Sequence, residues 1–146
     1  MPKMIFINLP VSDLAKSVAF YEAVGAEKNP QFSDDTAACM VLSETIHVMI
    51  LTHDKYRSFT SKPIGDTQAT SSVLLCLSAD DRAGVDRVTD AAGAAGGRVD
   101  PGPVQDYGWM YGRSFEDPDG HHWEVMFMDM AAAAEAMGGA PEAAAA

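Results

Sequence analysis

Cysteine is scarce in this chain: Cys39 and Cys76 are the only two among 146 residues, and they form no C-x-x-C pair. A disulfide framework is therefore not expected, and reduced, mostly buried thiols are. Basic residues are also few, 10 Lys and Arg against 21 Asp and Glu, for a net charge of -11. Phosphate backbones require clustered Lys and Arg, so nucleic acid is not an expected partner, and an anionic membrane surface is disfavoured on the same ground. No apolar run approaches the length of a membrane span, and the opening Met1-Pro2-Lys3-Met4 lacks the apolar core of a signal peptide. The expected location is the cytoplasm. What the chain does have is apolar content, 47% of its residues, enough for a core that needs no disulfide or structural metal.

Met4–Leu9 reads as a strand closed by Pro10, and Ser12 or Asp13 can cap the helix that follows. Leu14, Val18 and Tyr21 recur at helical spacing, and Gly25 stands where a left-handed residue ends a helix. Strand-like runs follow near Ala26–Phe32, Ala37–Leu42 and Ile46–Thr52. A polar arm over 53–71 then breaks the pattern, with one short helix expected around Lys55–Thr60. The same order returns: a strand at Ser72–Ser78, a helix capped by Asp80 or Asp81 and stopped by Gly96-Gly97, and strands around Arg98–Val99, Trp109–Glu116 and His121–Met128. Strand, helix and three strands thus occur twice, about seventy residues apart. The expectation is an α+β domain over 1–130, built from two tandem βαβββ units at about 4–52 and 72–129. An Ala-rich tail over 131–146 is expected to begin as a helix and to be partly disordered.

The final hairpin carries the chemistry. Residues two apart on a strand share a face, so His122, Glu124, Met126 and Met128 point one way while Trp123, Val125 and Phe127 point toward the helices. If Asp117–Gly120 is a four-residue loop, Arg113 lies across from Glu124, with Trp109 and Tyr111 on the same face. Two aromatics, an Arg and a Glu on one sheet face can clasp a small organic molecule. Glu124 and Arg113 are the candidate catalytic pair, and Trp109, Tyr111, His122 and Met126 are candidate substrate contacts. The plainer alternative is a structural ion pair.

Phe115-Glu116-Asp117-Pro118-Asp119-Gly120-His121-His122-Trp123-Glu124-Val125 resembles the C-terminal signature of the vicinal oxygen chelate superfamily, which includes glyoxalases, bleomycin-resistance proteins and extradiol dioxygenases. Pro10-Val11-Ser12-Asp13-Leu14, with Ser17 and Phe20-Tyr21, is similar to its N-terminal signature. Met110-Tyr111-Gly112-Arg113-Ser114-Phe115 resembles a branch labelled predicted lactoylglutathione lyase. The resemblance covers about residues 4–129 and implies half-barrel sheets around a concave cup, a homodimer, and a divalent cation held in the cup. The positions matching the family's metal ligands are Phe6, Ile50, Leu74 and Glu124, of which only Glu124 can coordinate. No metal or other cofactor is therefore expected at that position, and Phe6, Ile50 and Leu74, with Asn8 beside Phe6, become candidate substrate contacts. Glu124 and His122 are the weak metal candidates, unless a dimer brings another ligand such as His47 or His53.

These readings leave several functions open. A metal-free enzyme would use Glu124 as general base or acid on a small carbonyl compound, with Arg113 holding an anionic group. A sequestering protein of the resistance type would only bind, and a degenerate relative would keep the fold for dimer assembly. A metal-dependent lactoylglutathione lyase requires ligands from elsewhere.

Overall fold

The computed structural model describes residues 2–138. The first unit runs β1 (Ile5–Val11), α1 (Leu14–Ala23), β2 (Glu27–Asn29), β3 (Ala37–Val41) and β4 (Ile46–Thr52), and α2 (His53–Arg57) opens the arm. The second unit runs β5 (Leu75–Ser78), α3 (Arg82–Ala94), β6 (Arg98–Val99), β7 (Gln105–Asp106), β8 (Met110–Glu116) and β9 (His122–Met128), and α4 (Met130–Ala136) follows. The sheets have orders β1-β4-β3-β2 and β5-β9-β8-β6, with β7 also on β8. In each, the first strand lies parallel to the last, and the last lies antiparallel to the one before it. The tandem repeat expected from the sequence is thus present as one pairing pattern used twice, with one further short strand, β7, added on β8 in the second unit.

The helices begin where short acidic side chains offer a cap. Asp13 accepts from the Lys16 amide at 3.1 Å, and Asp81 accepts from the Gly84 amide at 2.6 Å. Gly25 follows α1 at φ +111°, a left-handed conformation that lets the chain turn back into β2. Both helices lay their apolar stripes on the sheets: Phe20 and Tyr21 from α1, and Val85 and Ala92 from α3, are buried. They join Leu9, Val11, Met40, Val48, Ile50, Phe115, Trp123 and Val125 in one core that spans both units. The junction is aromatic, with Phe20 and Phe115 centroids 5.9 Å apart and Tyr21 and Trp123 6.1 Å apart.

Four local expectations change. The strand expected at Ser72–Ser78 begins only at Leu75. Pro10 does not close the first strand, which continues to Val11 with Pro10 opposite Leu51. β1 is an edge strand, where a missing N–H on the open side breaks no ladder bond. Residues Pro30–Phe32 form a single 3-10 turn rather than strand, because Asn29 caps the Gln31 amide and Pro30 supplies a fixed φ. The short arm helix begins at His53, earlier than expected, with Thr52 as its cap. The tail does begin as helix in α4, while residues 139–146 lie outside the described region.

Candidate functional site

The hairpin between β8 and β9 sets every side chain of the site, and its loop holds five residues, not four. Glu116 pairs with His122, so Asp117–His121 is the loop. The Asp117 amide donates to the His121 carbonyl at 3.0 Å, and Oδ1 of Asp117 accepts from the amides of Asp119 and His121, both at 2.9 Å. Gly120 completes the turn at φ +88°, against the Thr67 carbonyl of the arm, where a Cβ has no room. His121 belongs to the loop because its ring reaches the Pro10 carbonyl at 2.7 Å.

One residue of slip turns β8 over. Ser114 lies opposite Glu124, and Arg113 lies opposite Val125 on the helix side. The expected Arg113–Glu124 pair does not form. The Arg113 guanidinium instead meets Asp100 at 2.9 Å, Asp86 at 3.1 Å and Asp90 at 3.2 Å. Asp86 and Asp90 are one turn apart on α3, and Asp100 sits beyond β6 at φ +53°. Tyr111 follows Arg113 to that side, its hydroxyl donating to Asp86 at 2.6 Å and its ring carrying the Arg82 guanidinium at 4.4 Å. Trp109 shares their parity and stacks on Tyr107 at 5.8 Å, away from the residues lining the Glu124 cavity.

Ile50 is a further correction. It pairs with Leu9 and is wholly buried on the helix side, so the cup face of β4 carries His47, Met49 and Leu51. Phe6 lies over His47 with ring centroids 4.7 Å apart, and the His47 Nδ1 is buried without a hydrogen-bond partner among the described residues. Asn8 donates to the Phe6 carbonyl at 3.3 Å and lines a cleft of about 220 Å³ with Tyr56, Ser72, Val73 and His122.

The second sheet keeps an open concave face. A cavity of about 290 Å³ is lined by Leu74, Cys76, Gly102, Pro103, Gln105, Met110, Gly112, Ser114, His122, Glu124 and Met126, with Arg113 and Val125 contributing from within the strands. Of the sequence candidates, Leu74, Arg113, His122, Glu124 and Met126 are among the lining residues, the Arg113 guanidinium being held on the helix side. Phe6, Asn8, Ile50, Trp109 and Tyr111 are not among its lining residues. Among the described residues no hydrogen bond or ion pair holds the Glu124 carboxylate, and the sheet presents it half-buried beside Cys76. Ser114 Oγ accepts from the Gly102 amide at 3.1 Å, which holds the 100–104 bulge against the cavity edge.

Cys76, expected with Cys39 among mostly buried thiols, is exposed, and it faces the cavity opposite Glu124. Alternation from Leu74 was the available signal. Partial burial, and next the Glu124 charge, push its thiol above the ordinary value. Glu124→Gln removes the second cause, so at fixed neutral pH Cys76 should react with iodoacetamide about two- to threefold faster in the variant. Mass-spectrometric alkylation kinetics, with buried Cys39 as internal reference, check this.

The donor set does not suit the metal that the fold family implies. Phe6 and Leu74 offer no lone pair, Ile50 is turned into the core, and Glu124 alone is one carboxylate. Among the described residues no group of three or more His, Cys, Asp or Glu side chains could hold a metal ion.

The chain matches the Glyoxalase/Bleomycin resistance protein/Dioxygenase superfamily over residues 3–125, and it belongs to that family. No curated protein matches it. Among solved structures, a hypothetical protein from S. aureus superposes with a TM-score of 0.72 at 24% identity, covering 87% of this chain and 94% of that one. A glyoxalase-related enzyme from Fulvimarina pelagi gives 0.71 at 20%, covering 89% and 91%. A fosfomycin resistance protein from Listeria monocytogenes gives 0.62 at 22%, covering 87% and 91%. At these identities the likeness is one of fold.

Proposed function

We propose that this protein binds a small organic molecule on the concave face of the second sheet. In this reading it descends from the lyases and isomerases of the family, near the lactoylglutathione lyase-like branch, with the family's metal position largely lost. The observation that carries it is Glu124, a carboxylate without a protein partner among the described residues, on the wall of a cavity of about 290 Å³. That volume lies at the small end of ligand sites. Tryptophan emission is a poor reporter here, because Trp123 is in the core and Trp109 is off the cavity. Methyl-labelled methionine is a better one. Compounds from a metabolite panel should move the Met110 and Met126 methyl signals saturably, and hits confined to other methionines would reject the site. Following each hit for conversion separates an enzyme from a sequestering protein, and metal analysis of the purified protein tests the metal-dependent alternative.

The same proposal includes a homodimer. Met4 just ahead of β1, Ile5 and Phe6 on it, and Val73 and Leu74 ahead of β5, are each at least half exposed. Both strands are sheet edges with free ladder groups, and apolar edges of this kind favour pairing with another chain. Phe6→Glu should shift the chain toward monomer in sedimentation velocity; an unchanged coefficient would place the interface elsewhere. Free thiols at Cys39 and Cys76 suit a reducing, cytoplasmic compartment, and among the described residues no helix is long and apolar enough to cross a membrane.

A further inference from the structure

We infer that the cavity on the second sheet selects a small organic cation, a primary ammonium on an apolar body, over the neutral or anionic molecule of the same shape. The inference rests on the small-molecule reading above and adds the charge and shape of what is bound.

Charge is the first argument. Among the lining residues only Arg113 and Glu124 carry formal charge at neutral pH, with His taken as neutral, and they stand on opposite sides of the sheet. The Arg113 guanidinium is engaged by Asp86, Asp90 and Asp100 on the helix side, with its side chain only 13% exposed. It is not available to a ligand in the cavity. Glu124 is then the one formal charge presented to a guest. An ionised carboxylate only accepts hydrogen bonds, so its complement must donate, and a positive donor gains the most. A ligand carboxylate or phosphonate would meet Glu124 with no cation to offset it, the Arg113 guanidinium being engaged on the helix side.

Shape and the remaining polar groups give the second argument. Met110, Met126, Leu74 and Pro103 make apolar walls, and two thioethers adapt readily to an aromatic or branched body. His122 is two residues before Glu124 on the same strand face, and among the described residues its ring makes no hydrogen bond. A primary ammonium has three N–H donors, so Glu124 and His122 together can receive them, whereas an alcohol offers one. The net charge of -11 adds a long-range field of the same preference.

The test uses the intact chain with methyl-labelled methionine and three small aromatic probes of similar size: benzylammonium, benzyl alcohol and benzoate. Benzylammonium should move Met110 and Met126 with an affinity at least about tenfold above the alcohol, with benzoate weakest. Added sodium chloride should weaken benzylammonium and leave the alcohol unchanged. In Glu124→Gln, whose side chain keeps its size, the preference for the cation should vanish. Equal binding of alcohol and ammonium, tighter benzoate, or a preference that survives in Glu124→Gln overturns the charge assignment while the cavity remains a binding site. If none of the three probes moves either methionine, the small-molecule reading falls, and this inference with it.

Discussion

Asp117→Ala should destabilise the protein by about 3–5 kcal/mol, measured by urea unfolding, the largest effect expected of any single polar substitution here. Asp117 is 3% exposed and serves three donors. Its Oδ1 accepts from the Asp119 and His121 amides, and its Oδ2 accepts from the Tyr21 hydroxyl at 2.6 Å. Burial, and next the Asp117 charge, push the Tyr21 phenol well above its ordinary value, so it remains a donor. The same hydroxyl accepts from Trp123 Nε1 at 3.1 Å. Alanine leaves the two amides and the phenol without a protein acceptor inside a packed core. Asparagine keeps Oδ1 for the two amides and sets an NH₂ against the phenol, so Asp117→Asn should cost only about 1 kcal/mol. The pH dependence has a definite sign. Burial raises the Asp117 carboxyl above its unfolded value, so between those two values the native state holds the extra proton and stability falls as pH rises. The asparagine variant lacks that proton, and its deficit against wild type should shrink from acidic to neutral pH.

Arg113→Met should cost about 2–3 kcal/mol, by the same measurement. Removing one partner of a buried ion pair costs about 3–5 kcal/mol, and solvent screening at the acids reduces this. The side chains of Asp100, Asp86 and Asp90 are 29%, 48% and 71% exposed. Methionine keeps the apolar stem and deletes the charge that gathers them, so the 100–104 bulge should loosen. Amide exchange at Gly102, whose N–H reaches Ser114 Oγ, should then accelerate. The pH trend is opposite to that of Asp117. A hydrogen bond from Tyr111, and next the Arg113 guanidinium, hold the Asp86 carboxyl below its ordinary value. Its stabilisation is present above the unfolded value and lost as pH falls through the folded one, so wild type and variant should converge in strong acid.

The two kinds of information in the chain were not equally readable. Element order was, because capping acids, helical spacing and terminal glycines are local signals, and Asp13, Asp81 and Gly25 serve in the roles their types suggest. The lateral placement of β8 was not. Its register depends on whether His121 counts as strand or loop, and that is decided by a ring reaching Pro10, 111 positions away. A single step there moved Arg113, Trp109 and Tyr111 off the face assigned to them. Glu124, His122 and Met126 kept theirs, because β9 is anchored by its own alternation of Trp123 and Val125 into the core. Ile50 failed for a related reason: β4 is apolar on both faces, so period-two reading has nothing to distinguish them.

The loop that bears Asp117 also fixes how divisible the molecule is. Its contacts run to Tyr21, to the Ser12 amide through Asp119, and to Pro10 through His121, all in the opposite half of the chain. A polypeptide severed within the arm would yield two fragments of equal pattern but unequal self-sufficiency. The later fragment would inherit a carboxylate whose phenol was left behind, and the earlier one an aromatic stripe with no counterpart. Duplication of one motif has here ended in mutual dependence, and co-expression of the fragments should rescue what neither achieves alone.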